Sequence, residues 1–484
     1  MSAVFYRKPP DIESVRRSRL QLSDFSGGMS GRLHENILPQ RYASESYNFE
    51  FKDGALKAMR GITAFCPGGD TPASVTGETV LRVYHYRRFD RDTMQPDDRL
   101  AVYTQSKKLY GMSAIAPSVP VLLSEEFETP PRAVNYRLSG EDVLVLSGGG
   151  YTAVWDGKNA LEHVPGAPDI TSMCVHYERI FASGGGDRSA VWFSDDLDVT
   201  NWNVSLDEAG FLELADDGGG LVRVVHFLDY VYVFRSYGIA RLTAYAEQTQ
   251  FALTRLYTAT GRIYPDTIAV CGDRIMFLAA DGLYSFNGVT VSRAAKNLDG
   301  ILQPESGNPC ACAHSGEYAL AARLKFKTGY PGEEGAKNNA LVLYNPSDGR
   351  TEVLRGADIS GLLAYLQESG SELLLSLRGK SKVYRLGGRG SIDGQQMHML
   401  WRTPRTNLGR PDAVKSVKQL YMGLSGGCTV NVSGEVCGAK AQIQGSGGPV
   451  RRRLRARGTE FWLEFCSTDP DIEISRPELV TEYI

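Results

Sequence analysis

The chain has 484 residues, with 53 Lys and Arg against 56 Asp and Glu, so its net charge is -3, and 42% of its residues are hydrophobic. This composition predicts a globular protein with a sizeable core and excludes a disordered one. The small net charge argues against a protein whose affinity rests on coating nucleic acid phosphates, because that mode needs a large cationic excess.

Targeting signals and disulfides are not expected. No stretch approaches 18 consecutive apolar residues, and residues 1–20 lack the apolar segment of a signal peptide, so neither a membrane span nor secretion is predicted. The eight cysteines are scattered and are interpreted as free thiols. The 52 glycines are typical of many short strands joined by tight turns.

The first 70 residues are predicted to form an extended arm followed by a hairpin. Residues 1–45 are polar and without sustained periodicity, and we expect them to become ordered on assembly. Alternation from Tyr47 to Leu56 around Asp53-Gly54 predicts the hairpin. The basic residues of the arm are candidate assembly contacts: Arg7, Lys8, Arg16, Arg17 and Arg19.

Residues 71–398 are predicted to form a β-propeller of five to seven blades. One unit recurs there, an apolar run, a turn and a second alternating run, with spacings of about 40 to 50 residues, close to the repeat lengths of propeller blades. Two consecutive β-sandwiches remain the alternative. The seven predicted hairpins begin at Arg99, Asp142, Arg179, Tyr230, Arg274, Tyr318 and Glu372.

Residues 399–484 form a further alternating set, which predicts a compact β-sandwich-like domain. Residues 451–457 form its one basic run. After Arg453 the arginines alternate with Leu454 and Ala456 on the opposite face, as in a strand with a solvated arginine face. A contact with an acidic neighbouring subunit or with phosphate is the alternative. The candidate contact residues of this run are Arg451, Arg453, Arg455 and Arg457.

The motifs that could carry chemistry are better explained as structure. Residues 423–427 match the pattern of a hydrolase nucleophile elbow, but a strand follows where a helix is required. Residues 379–381 are interpreted as a surface turn, the Cys310, Cys312 and His314 group as core, and residues 194–202 as a single imperfect Asp-box turn. We therefore predict no catalytic residue, no cofactor, no metal site and no enzymatic activity.

Two segments resemble a known family. The pattern of Asp24-Phe-Ser-Gly-Gly-Met29, Leu38-Pro39, Asn48, Asp53-Gly54 and Arg60-Gly61-Ile62 resembles the opening of virion proteins from tailed bacteriophages, which leads into a propeller. Residues 177–202 and 275–288 are similar to the propeller of phage tail-hub and nozzle-type proteins. The likeness spans most of residues 24–300, although Ser30 stands where Asn is usual.

This resemblance implies a structural component of a phage tail: the hub, the nozzle or the head-to-tail connector region. Such a subunit would form a homo-oligomeric ring around the DNA channel and contact other tail or connector proteins. Genomic DNA would pass through without sequence-specific binding. The protein would assemble in the host cytoplasm and reside in the virion. Two alternatives stay open, a propeller glycoside hydrolase or glycan-binding protein acting on host polysaccharide, and a monomeric kelch-like scaffold.

Overall fold

The computed structural model describes residues 16–91, 93–205, 209–214, 218–245, 248–259, 261–367 and 370–483, except for the side chain of Arg16. The chain divides into two compact units. One is Arg60–Gln395, and the other combines Met1–Met59 with Gln396–Ile484. Among the described residues the only helices are single 3-10 turns, at Gln248–Gln250, Pro265–Thr267, Lys296–Leu298 and Pro304–Ser306.

Strands supply nearly all of the regular structure. The strands before the propeller are β1 (Arg16–Gln21), β2 (Gly28–Met29), β3 (Tyr42–Ala43), β4 (Glu45–Tyr47), β5 (Phe49–Lys52) and β6 (Ala55–Ala58). The strands of the propeller unit are β7 (Arg60–Ala64), β8 (Val80–Tyr86), β9 (Phe89–Asp90), β10 (Gln95–Pro96), β11 (Arg99–Thr104), β12 (Leu109–Ser113), β13 (Val121–Ser124), β14 (Arg132–Leu138), β15 (Glu141–Gly148), β16 (Tyr151–Trp155), β17 (Glu162–His163), β18 (Ile170–His176), β19 (Arg179–Gly184), β20 (Ala190–Phe193), β21 (Gly210–Glu213), β22 (Leu221–Phe227), β23 (Tyr230–Arg235), β24 (Gly238–Thr243), β25 (Ala252–Thr258), β26 (Ala269–Cys271), β27 (Arg274–Ala279), β28 (Gly282–Phe286), β29 (Val291–Arg293), β30 (Cys310–His314), β31 (Glu317–Ala322), β32 (Ala340–Tyr344), β33 (Thr351–Arg355), β34 (Ile359–Gln367), β35 (Gly370–Leu377), β36 (Val383–Arg389) and β37 (Ser391–Ile392). The remaining strands are β38 (Gln395–Gln396), β39 (Met399–Arg402), β40 (Lys415–Gly434), β41 (Ala439–Gly458), β42 (Phe461–Ser467) and β43 (Glu473–Tyr483).

The propeller has seven blades, so the predicted fold class is confirmed. Six blades are antiparallel sheets of four strands that are nearly consecutive in the chain, with orders β8-β11-β12-β13, β14 to β17, β18 to β21, β22 to β25, β26 to β29 and β30 to β33. The seventh contains β34, β35, β36 and β7, extended by β37. The seven predicted hairpins are the second and third strands of these blades. A single ring of blades replaces the alternative of two consecutive sandwiches.

The seventh blade is completed by a strand that precedes the first blade. β7 pairs antiparallel with β36, from Tyr384 opposite Ala64 to Arg389 opposite Arg60. Pairing the two ends of the propeller in one sheet closes the ring and removes an open sheet edge. The unit therefore begins at Arg60, whereas the sequence predicted residues 1–70 as arm and hairpin. The predicted hairpin itself is present as β5 and β6, with left-handed backbone at Asp53 and Gly54.

The hydrophobic core of the propeller lies between neighbouring blades. One cluster joins Leu100 and Val102 of the first blade to Leu374 and Val383 of the seventh. Similar clusters join the first blade to the second, the second to the third, the third to the fourth and the fourth to the fifth. Each blade thus buries apolar faces that an isolated hairpin would leave exposed.

The second unit contains one large antiparallel sheet built from both ends of the described chain, together with a two-stranded parallel sheet of β2 and β3. β40 pairs with β41 along one edge, and along its other edge with β43 and then β42. β1 pairs with β43, and Leu22 and Phe25 are buried. The described part of the predicted arm is therefore packed within this unit. The arm has too few apolar side chains to give a periodic sequence pattern. One of them, Phe25, nevertheless packs against Trp401 and Phe51.

Candidate functional site

A central channel of the propeller collects charged side chains that are far apart in the sequence. Each blade begins with its innermost strand, and three of these strands carry an arginine near their first residue. Arg82 is the third residue of β8, Arg132 is the first of β14, and Arg223 is the third of β22. Asp266 lies in the 3-10 turn Pro265–Thr267 that leads into β26. Because the innermost strands surround one axis, these four side chains meet in the channel and line one cavity.

Asp266 is the common partner of two of the arginines. Arg82 donates from Nη2 to Asp266 Oδ2 at 2.9 Å, and Arg132 donates from Nη2 to Oδ1 at 2.5 Å. Arg82 also donates to the carbonyl of Ser360 in the seventh blade, and Arg132 to that of Thr171 in the third. These bonds join five blades across the channel and fix the two guanidinium groups in place.

The charges of this cluster shift the pKa values of its members. Burial opposes ionisation of Asp266, but the charges of Arg132 and Arg82 outweigh it and hold the pKa of this carboxyl well below its usual value. Burial, with the like charge of Arg132 as the second cause, lowers the pKa of Arg223 to about 10. Asp266 and Arg223 are therefore both ionised at neutral pH.

The cluster borders two cavities. The channel cavity has a volume of about 480 Å³ and is lined by residues of the innermost strands, among them the three arginines and Asp266. A second cavity of about 570 Å³ is lined in part by Arg262 and Glu305 and shares Arg82 and Asp266 with the first. Both volumes are of the size that holds a small molecule in known binding sites.

Those candidate contact residues predicted from the sequence that the structure describes lie elsewhere, in the second unit. Arg7 and Lys8 lie outside the described residues, and of Arg16 the structure describes the backbone in β1. Arg17 and Arg19 are exposed on β1. The remaining candidates, all on β41, are exposed as well: Arg451, Arg453, Arg455 and Arg457.

Strand register brings the two groups of arginines onto one sheet, which we call the basic sheet: β1, residues 478–483 of β43, residues 415–421 of β40 and residues 451–458 of β41. Arg457 lies opposite Ser416, which in turn lies opposite Glu482. Glu482 lies opposite Arg17 and accepts a charged hydrogen bond of 3.1 Å from it. The candidates at the two ends of the sequence therefore flank the same pair of central strands.

Charge on the basic sheet is balanced on one side and unbalanced on the other. Arg19 pairs with Glu478 at 3.1 Å, and Lys418 pairs with Glu482 at 3.3 Å. The four arginines of β41 form no ion pair with any described residue, and Leu454 and Ala456 between them are buried. Among the described strands only β40 pairs with β41, and Cys437 forms an isolated bridge with Arg457, so the arginine row lies along a sheet edge that is free from Arg451 to Arg455.

The sequence motifs considered as possible sites lie in ordinary strands and turns. Residues 423–427 lie inside β40, so no strand-to-helix turn follows them. Residues 379–381 lie in the turn between β35 and β36. Cys310, Cys312 and His314 lie on β30, and over the described residues no group of three or more His, Cys, Asp or Glu could hold a metal ion. Trp202 is buried and donates to the carbonyl of Val199.

The channel cluster was not found from the sequence. Arg82 and Asp266 are separated by 184 positions, so no local spacing connects them. One signal was present: an arginine near the start of a run that precedes a predicted hairpin, repeated in three blades. This pattern predicts a cluster of arginines only when those runs are known to be the innermost strands of the propeller.

Comparisons with known proteins concern the fold alone. No family model matches the chain, and the comparison with curated proteins finds no match. Among solved structures, BBS1N in complex with ARL6DN is 11% identical with a TM-score of 0.43, covering 68% of this chain and 99% of that one. The computationally designed Ika8 protein is 9% identical with a TM-score of 0.39, covering 68% and 100%. The Pan2 WD40 domain of Neurospora crassa is 8% identical with a TM-score of 0.41, covering 70% and 97%. No helix in the described ranges is long and apolar enough to cross a membrane.

Proposed function

We propose that this protein is a non-enzymatic structural subunit of a bacteriophage tail, in the hub, nozzle or connector region. It forms a homo-oligomeric ring around the DNA channel and contacts other tail or connector proteins. The family resemblance of residues 24–300 supports this proposal, and a closed seven-bladed propeller is a rigid scaffold suited to it. Its place of action is the virion, after assembly in the host cytoplasm.

The observation that carries the proposal is the arginine row of β41. Four exposed cations on a sheet edge repel one another and have no described carboxylate partner. A neighbouring subunit or tail protein with an acidic surface would neutralise them, and electrostatic complementarity of this kind sets partner choice and register. We assign the subunit contact to this row, with Arg17 and Arg19 at the opposite side of the basic sheet.

The proposal is tested by charge reversal on β41. The variant R453E/R455E/R457E and the wild type are compared by mass photometry, alone and with an isolated portal and connector complex. The matched control R137E/R188E/K296E reverses three exposed charges of the propeller. We expect wild type and control to form a ring of fixed copy number and the β41 variant to remain monomeric. A wild type that stays monomeric under both conditions contradicts the tail function and favours the monomeric scaffold, and a β41 variant that assembles normally contradicts the contact.

A second candidate function is a glycan-binding or glycan-hydrolysing propeller, and the channel cluster favours it. Acidic polysaccharides carry carboxylates, and arginine recognises these through paired hydrogen bonds. Incubation of the purified protein with sialylated and uronic acid polysaccharides separates the two functions. Released reducing ends above the level of a heat-denatured sample would contradict the non-enzymatic proposal.

A further inference from the structure

The propeller channel contains more positive charge than its own carboxylates neutralise. Arg82, Arg132 and Arg223 face a single central carboxylate, that of Asp266. Asp169 lies at the exposed rim of the same cavity and accepts a hydrogen bond from the backbone of Gly150 at 3.0 Å. The remaining titratable groups of the lining are Tyr84 and Cys310, whose pKa values ordinarily lie above neutrality and are raised further by burial. With both carboxylates counted, the cavity keeps a positive charge.

Arg223 differs from the other two arginines, because the charge of Asp266 acts on it but no described hydrogen bond joins the two side chains. Arg82 and Arg132 are both engaged by Asp266 and by backbone carbonyls. In contrast, the Nε atom of Arg223 is buried without a hydrogen-bond partner among the described residues, and this side chain forms no described ion pair. A buried donor without a partner is costly, and more so when it is charged.

The space beside Arg223 suits a small ligand. The channel cavity of about 480 Å³ is lined by small and apolar residues as well as by the charged cluster. A guanidinium presents Nε and one Nη on the same edge, which matches the two oxygens of a carboxylate or phosphate. An anion in this cavity would neutralise the excess charge beside Arg223.

We propose that the propeller channel is a binding site for a small oxyanion, a carboxylate or phosphate group held by the guanidinium of Arg223 with Arg132 beside it. The Arg82, Arg132 and Asp266 network holds the blades in place around this site. The site does not depend on the proposed tail function, because it is formed within a single propeller.

The test measures anion binding by the full chain at constant ionic strength. Inorganic phosphate and D-glucuronate, each up to about 50 mM, are titrated in separate calorimetric experiments with wild type, R223Q, R223K and R241Q. Arg241 is the matched control, since it lies on β24 of the same blade, also has a buried Nε without a described partner, and packs over the ring of Tyr230 away from the channel. Melting curves of all four proteins with and without each anion verify folding.

We expect saturable binding of at least one anion to wild type and to R241Q, weakened by about tenfold or more in R223Q and by less in R223K. A saturating anion should raise the melting temperature of wild type by about 2 °C and leave that of R223Q unchanged. Preference for phosphate or glucuronate identifies the group that binds. Absence of saturable binding to wild type, or equal affinity in wild type and R223Q, would overturn the proposal; if R223Q does not fold, R223K decides by the same criterion.

Discussion

At the scale of single residues, burial decides which ionisable groups titrate unusually. His176 ends β18, with 2% of its surface exposed, and its ring lies 5.1 Å from that of His226. Burial, followed by the charge of His226, lowers the pKa of His176 to about 4. The folded protein therefore binds a proton at this group less readily than the unfolded chain, whose histidine has its ordinary pKa of about 6.5.

This shift predicts a loss of stability in mild acid. The stabilisation is fully present above pH 6.5 and is lost as the pH falls towards 4, and a pKa difference of this size corresponds to about 3 kcal/mol. Guanidinium denaturation between pH 7.5 and 4 should show a shallower decline for His176→Phe than for wild type. His163→Phe, which changes an exposed histidine, should retain the wild-type profile. Parallel profiles for wild type and His176→Phe would show that this group does not set the pH dependence.

The contacts of single residues were the hardest feature to predict from the sequence. The alternation of Arg453 to Arg457 correctly indicated exposed arginines with Leu454 and Ala456 buried, because a strand alternates its faces with a period of two. The partners of Arg82 and Arg132 could not be predicted, since they depend on which strands line the channel. A polar residue on an innermost strand gives the same local pattern as one exposed to solvent.

At the scale of elements, the closing strand β7 depends on a close approach of two backbones. Gly61 lies where β7 runs parallel to β37, and a Cβ atom there would overlap the carbonyl oxygen of Ser391. Gly61→Ala should therefore force the strands apart and reduce the free energy of unfolding by about 1 to 3 kcal/mol. Chemical denaturation measures this change.

Gly186→Ala is the control, because a Cβ at Gly186 meets no atom within 4 Å and its backbone is not left-handed. Its stability should stay within about 0.5 kcal/mol of wild type. Equal stability of the two variants would mean that the approach of β7 to β37 does not restrain the seventh blade.

The second and third strands of every blade were predictable, and the flanking strands were not. β23 and β27 are long, apolar and buried, so they stand out as hairpin components. Outer strands such as β17 and β21 are short and largely exposed, and the innermost strands β8, β14 and β22 mix apolar residues with arginine. A strand with weak alternation gains its stability from neighbouring blades, which a local pattern does not reveal.

At the scale of the whole molecule, the limits of the propeller follow from its closure. Arg60–Gln395 contains all four strands of every blade, whereas a fragment starting at residue 71 lacks β7. We expect fragment 60–395 to unfold in one cooperative transition. Fragment 71–395 should melt at a lower temperature or aggregate, because β36 would present an unpaired edge. Calorimetry and light scattering compare the two, and indistinguishable behaviour would refute a closing role for β7.

The pairing of β7 with β36 makes the order of synthesis important for folding. β7 leaves the ribosome early, but its partner residues, Val383–Arg389, are translated only after six blades have been made. The pairing partner of β1 is β43, which is translated later still, near the other end of the chain. Neither unit can complete its native pairing during most of translation. Long-range contacts of this kind therefore predict slow folding and a period in which the nascent chain needs protection from neighbouring chains on the same messenger RNA.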